Sequence, residues 1–223
     1  MSNKKVTNQV NEFDETVSAS KSFFDNHKKS ILYGGGAVLA IVIACLLIHQ
    51  FYIVPRNNKA NEALFAAEAQ FRSGNYDKAL NGDSVSVGFL QVIDQYGCTK
   101  AANLAKMYAG ICQANLGNYA EAVKLLEDFS GQDDAMISPA AMGALGNCYA
   151  QLDQKEKAAS TLEKAAKKAD SNTLSPVYLV QAGQIYEALG QAEKALACYE
   201  TVKSSYKQSY LSSEVDKYIE RLK

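Results

Sequence analysis

Histidines, acids and thiols are the side chains that could move a proton, hold a metal or attack a carbonyl. The 223-residue chain has two histidines, His27 and His49, and none between residues 55 and 223. A histidine-based triad or metal site cannot be built in that stretch. Adjacent acids occur at Glu127-Asp128 and Asp133-Asp134. Paired carboxylates can share a proton for acid–base work, but these fall between helical runs and read better as solvated turns. The five cysteines are Cys45, Cys98, Cys112, Cys148 and Cys198. None forms a CxxC pair, and an odd number gives no disulfide framework, so they read as small buried thiols. The expectation is a protein that is not an enzyme, with no catalytic, cofactor-binding or metal-binding residue.

The elements around these residues are more informative. From Ile31 to Val54 run 24 residues without Asp, Glu, Lys or Arg. A helix of that length reaches ~36 Å, enough for a hydrocarbon core of ~30 Å with some tilt. Tyr33, Phe51 and Tyr52 stand near its ends, where aromatic rings favour the interface. The 30 residues before it carry both signs of charge, unlike the short basic start of a signal peptide. Val42-Ile43-Ala44-Cys45 is similar to a bacterial lipobox, but the run continues through LLI and FYIV where a lipoprotein turns polar. A membrane-spanning helix with a buried thiol is the expectation. Gly36, Ala40 and Ala44, four apart, form a small-residue seam for packing against another span.

This divides the chain into a tail, 1–30, a transmembrane helix, 31–54, and a domain, 55–223. The formal charge is −1 overall, so no global field attracts nucleic acid. In the tail Val10, Phe13, Val17 and Phe24 recur at helical spacing, which predicts an amphipathic juxtamembrane segment. Phe13 and Phe24 are its contact residues, for a protein partner rather than lipid, because Glu12, Asp14 and Glu15 share its polar side with lysines.

The large domain repeats itself. Met142-x-x-Leu145-Gly146-x-x-Tyr149 with Ala158-x-x-x-Leu162 recurs as Leu179-x-x-Ala182-Gly183-x-x-Tyr186 with Ala195-x-x-x-Tyr199. Upstream stand Lys106-x-x-Ala109-Gly110-x-x-Gln113 and Ala122-x-x-x-Leu126. The glycines are 36 and 37 residues apart. This resembles the tetratricopeptide repeat, a helix–turn–helix unit of about 34 residues. The expected fold is all-α, a solenoid of about four hairpins. Gly74-Asn75-Tyr76 mirrors Gly117-Asn118-Tyr119 and marks a weaker first repeat, whose second helix residues 81–89 interrupt. Leu211, Val215, Ile219 and Leu222 predict a capping last helix, which a solenoid needs over its terminal face. Ser138-Pro139 and Ser175-Pro176 read as an N-cap followed by a first-turn proline, which puts all three prolines, with Pro55, at helix edges.

The resemblance implies a partner-binding groove along the first helices. The positions it carries over are Asn61, Leu64, Glu68 and Phe71; Leu104, Met107, Ile111 and Asn115; Ala140, Gly143, Asn147 and Gln151; and Val177, Val180, Gln184 and Glu187. Lys and Arg are missing from these positions, which argues against a clamp for a C-terminal carboxylate. Asn147 and Gln184 are the stronger candidates, since amides can bond a ligand backbone.

The order of parts, with the stretch Lys21-Ser22-Phe23-Phe24-Asp25-Asn26-His27-Lys28-Lys29 before the span, resembles the YfgM-like family of ancillary Sec translocon subunits. That resemblance implies a single-pass bacterial inner-membrane protein, its tail cytoplasmic and its repeats periplasmic. The implied partners are translocon subunits and a membrane-anchored periplasmic chaperone of the peptidyl-prolyl isomerase type, besides the lipid bilayer. Charge counting does not fix the orientation, because Lys21, Lys28 and Lys29 face Arg56, Lys59 and Arg72. Two other readings stay open: an oligomeric scaffold of a membrane complex, and a targeting receptor with cytosolic repeats.

Overall fold

The computed structural model describes residues 28–29, 33–34 and 37–223. Phe13, Phe24 and Gly36 lie outside these residues. The described chain divides into two units at Pro55 and Arg56.

The helix Ala37–Arg72 contains an 18-residue window with mean hydropathy 2.5, none of it buried. It is long and apolar enough to cross a membrane. Ala40 and Ala44 are both exposed on it. Pro55 is the second residue of the α-helical stretch Val54–Arg72, at an edge as expected, and that stretch continues the helix beyond a π-helical turn at His49–Ile53. Proline has no N–H to donate back along the helix, and a wider turn lets the backbone absorb that loss without stopping.

The other unit is all helical apart from an isolated bridge between Gly82 and Val87. Its helices are α1 (Val54–Arg72), α2 (Tyr76–Asn81), α3 (Phe89–Tyr96), α4 (Lys100–Asn115), α5 (Tyr119–Glu127), α6 (Ile137–Gln151), α7 (Lys155–Ala169), α8 (Ser175–Ala188), α9 (Ala192–Ser205), α10 (Leu211–Glu214) and α11 (Asp216–Leu222). They pair as hairpins α4/α5, α6/α7 and α8/α9. The first repeat is α1 with a second helix split into α2 and α3 by the expected interruption.

Each hairpin turns the same way. Gly74, Gly117, Asp153 and Gly190 all have positive φ. In the third turn Asp153 N–H donates to Ala150 O at 3.1 Å and Gln154 N–H to Tyr149 O at 2.9 Å. The same two bonds recur at Gly117-Asn118 and Gly190-Gln191. Together they satisfy two carbonyls that the helix end leaves open.

Small residues then set the helix spacing. A Cβ on Gly110 would lie 2.6 Å from Leu126 Cγ, and one on Gly146 would lie 2.8 Å from Leu162 Cγ. Helices meeting at a glycine close up, and the partner side chain fills the space. In α7, Ala158, Ala159, Leu162, Ala165, Ala166 and Ala169 are buried while Lys155, Glu156, Lys167 and Lys168 stay at the surface. Leu211, Val215 and Ile219 of the terminal helices are buried with Val202 and Tyr199 of α9, which covers the end of the solenoid.

The serine–proline pairs differ from the N-cap expectation. Ser138 and Ser175 lie inside α6 and α8 and are buried. Ser175 Oγ donates to Ala166 O at 2.7 Å, tying α8 back to α7. Ser138 Oγ bonds Asp134 and Gln132. Asp134 takes over the capping, accepting from Met136 N–H at 2.9 Å and Ser138 N–H at 3.1 Å. Burial pushes Asp134 up, but the Ser138 hydroxyl and the backbone N–H groups outweigh it and hold the carboxyl below its ordinary range. This acid pair is therefore partly a cap rather than only a solvated turn.

Candidate functional site

Three first helices, α4, α6 and α8, lie side by side and leave two pockets between them. One, of about 260 Å³, has Ile111 and Asn115 from α4 facing Ala144, Asn147 and Gln151 from α6. The other, of about 250 Å³, has Asn147 and Ala150 from α6 facing Gln181, Gln184 and Ile185 from α8. Asn147 belongs to both. Of the sixteen groove positions expected from sequence, five line these pockets: Ile111, Asn115, Asn147, Gln151 and Gln184.

Leu104, Met107 and Glu187 are placed differently. Met107 is 5 % exposed and packs with Ala122, Leu126, Ala141 and Cys148. Leu104 is half-buried between two core clusters. Glu187 is already engaged, accepting from Arg221 at 2.5 Å and from the Tyr199 hydroxyl at 2.5 Å. Of the further positions carried over, Leu64 and Val180 are buried, and the Tyr178 ring sits on Gly143.

The far end of the face is closed by the chain itself. Tyr218 of α11 stacks on Tyr199, their ring centroids 5.1 Å apart, and its hydroxyl lies 3.4 Å from Gln184 Nε2. Tyr218 and Arg221 follow Gln181 and Gln184 by 37 residues each. The terminal helix therefore occupies the place of a fifth first helix.

The face is electrically quiet. Its linings are mostly amides and aliphatic side chains, with Tyr119 and Cys148 in the first pocket, and its one lysine, Lys155, pairs with Asp153 at 3.1 Å. The Asn115 amide donates to Ile111 O at 2.8 Å, within its own helix. The Asn147 side-chain amide has no hydrogen-bond partner among the described residues. Cys148, on the wall of the first pocket, has its thiol pushed up by burial and is not poised as a nucleophile. The face can hold a neutral chain.

Gln181 was missed from the sequence, where only the resemblance's groove positions were carried over. Its Oε1 is buried without a partner. A signal existed, for the repeat before has Ala144 at the corresponding place, and a Gln there is out of keeping with a purely packed contact.

A larger cavity, of about 360 Å³, lies where α5 runs into the α5–α6 loop, beside Phe129, Met142, Leu145 and Lys168. The Tyr149 hydroxyl on its wall donates to Glu127. Burial, followed by that carboxylate, pushes the phenol up to about 12.

Residues 21–220 match the family described as tetratricopeptide repeat-like domain. The match begins ahead of the apolar helix and so takes in that helix as well as the repeats. No curated protein matches the chain. Among solved structures, the chain is similar to MamA protein, at 18 % identity over 73 % of this chain and 89 % of that one, with a TM-score of 0.51. It is also similar to the nearly identical TPR-like repeats of a kinesin-light-chain-like protein from Podosopora anserina, at 14 % identity over 74 % of this chain and 92 % of that one, with a TM-score of 0.54. At these identities the likeness is one of fold.

Proposed function

The chain belongs to the tetratricopeptide repeat-like domain family, a family of protein-interaction scaffolds, and on that premise we infer a membrane-anchored interaction module that serves protein export. The observation that carries the binding reading is the amide-rich two-pocket face across α4, α6 and α8, whose one charged lining residue is Lys155. Its amides offer donors and acceptors to a polypeptide backbone, and its small apolar walls take uncharged side chains. Its single cation, Lys155, is shared with Asp153, so the lining suits an internal segment better than a terminal carboxylate.

The anchoring reading rests on the bare apolar helix Ala37–Arg72. With residues 1–30 as tail, 31–54 as span and 55–223 as repeats, the order of parts supports an ancillary role beside the bacterial Sec translocon. The juxtamembrane stretch 21–29 supports it too, and so does a family match starting at residue 21. In this reading the repeats are periplasmic and work with a membrane-anchored chaperone of the peptidyl-prolyl isomerase type. Phe13 and Phe24 of the tail, and the Gly36, Ala40 and Ala44 seam, contact membrane partners.

Purification of the native protein in mild detergent with mass spectrometry of its partners tests this. Recovery of translocon subunits with the chaperone is the expected result, reduced by Phe13→Ser with Phe24→Ser. Recovery of only the protein itself would replace this function with an oligomeric scaffold. A membrane-impermeant thiol reagent on spheroplasts should label a cysteine engineered into the repeats and spare one in the tail. The reverse pattern would put the repeats in the cytosol.

A further inference from the structure

We propose that the edge of the first repeat where the chain enters it is a docking surface for the phosphates of anionic phospholipids. Its residues are Arg56 and Lys59 of α1, Tyr96 at the end of α3 and Lys100 at the start of α4. The proposal rests on the anchoring reading above and adds to it a second contact with the bilayer, made by the repeats themselves.

Three helix ends are tied together at this edge. Arg56 Nη2 donates to Gln95 O at 2.7 Å, and the guanidinium carbon lies 5.8 Å from the centre of the Tyr96 ring. Thr99 N–H donates to Tyr96 O at 2.8 Å, and Thr99 Oγ1 caps α4 by accepting from Ala102 N–H at 3.1 Å. The end of α3 and the start of α4 are thereby held at the foot of α1. The covalent chain limits how far that foot can stand from a bilayer. Arg56 is two residues beyond Val54, the end of the apolar run, and two residues of chain reach at most ~7 Å. The headgroup layer on one side of a bilayer is ~5–8 Å thick. An anchored chain therefore carries Arg56 among the headgroups, in either orientation, and Tyr96 comes with it.

The side chains suit that setting. Gln95 takes one of the five N–H donors of Arg56, which leaves others for a phosphate. Lys59 follows three residues on, along the same face of α1. Lys59 and Lys100 are both exposed, and neither forms an ion pair among the described residues. Tyr96 is half-buried, with its ring packed on the core of the first repeat. A phenol at an interface sits in this way, its ring on apolar matter and its hydroxyl toward water. The acids nearest in sequence are Asp94 and, a turn further along α1, Glu62, and the three cations outnumber them. Lipid is the occupant because the chain itself delivers this edge to it, and cations beside a bilayer favour anionic headgroups.

The test uses the full chain with Cys45→Ser and a fluorophore on Cys98, whose thiol is exposed while Cys112, Cys148 and Cys198 are buried. A second sample carries the dye at position 204, through Ser204→Cys with Cys98→Ser, near the end of α9. Each is reconstituted into phosphatidylcholine vesicles, with or without phosphatidylglycerol, that contain a lipid bearing a nitroxide on its headgroup. Quenching at position 98 should exceed that at position 204 and should rise about twofold with phosphatidylglycerol. High salt should remove the rise, and so should Lys59→Gln with Lys100→Gln, which changes only exposed side chains and should keep the wild-type melting temperature. No rise with phosphatidylglycerol, or the same rise in the double variant, would overturn the proposal while leaving the anchor intact. Equal quenching at the two positions would overturn it as well. Failure of the protein to float with the vesicles would remove the anchoring reading and the proposal with it.

Discussion

Gly183 of α8 lies directly under the ring of Tyr199 of α9, so that a Cβ on Gly183 would stand 2.5 Å from Cε1. Tyr199 is fully buried, and its hydroxyl reaches over to Glu187, which also holds Arg221 of the terminal helix. The close approach at one glycine thus positions the phenol that organises the closed end of the groove. Gly183→Ala should cost about 1–3 kcal/mol by overpacking. Gly190→Ala, in open space at φ +71°, should cost nearer 1 kcal/mol for its left-handed backbone alone. Urea unfolding separates the two, and equal midpoints would show that the ring moves aside freely.

At the third turn the sequence has Asp153 where the other repeats have glycine, with φ 57°. The side chain is strained there, and its exposed ion pair with Lys155 returns little. Asp153→Gly should raise stability by about 0.5 kcal/mol and the melting temperature by about 1–2 °C. Calorimetry decides this, and a lowered melting point would mean that the ion pair outweighs the backbone strain.

Asp134 predicts a pH dependence. Its carboxyl is held below the ordinary range, so its contribution is fully present above the unfolded value of about 4. It is lost as the pH falls through the lower, folded value. Asp134→Ala should cost about 1 kcal/mol at pH 7, as loss of a helix cap does. The wild type and the variant should converge only once the pH has fallen below that lowered value. A constant gap across that window would show that the cap acts through shape rather than charge.

The thiols should divide by burial. Burial pushes Cys112 up to about 12, and burial with the Glu163 carboxylate does the same to Cys198. Cys112, Cys148 and Cys198 are free and buried, while Cys98 is exposed. At pH 7.5 a maleimide should modify Cys98 and leave these three untouched until urea is added, as peptide mass mapping will read. Rapid modification of Cys112 in the folded protein would mean that the α4/α5 hairpin opens readily.

The repeat architecture was legible in the chain because its physics is local. A glycine or small residue at a helix crossing, a larger residue 16 positions on and a turn between them recur at near-constant spacing, as Gly110 with Leu126, Gly146 with Leu162 and Gly183 with Tyr199 show. The long apolar helix was legible for the same reason, since hydropathy sums along the chain. What tertiary structure alone decided was which groove positions remain open. Met107 and Val180 are buried by neighbouring repeats, and Glu187 is taken by Arg221, 34 residues away. Gln181 and Gln191 each have an Oε1 that packing buries and leaves without a hydrogen-bond partner among the described residues. Whether a side chain is filled or waiting depends on atoms brought from distant helices, and no spacing within one helix contains that information.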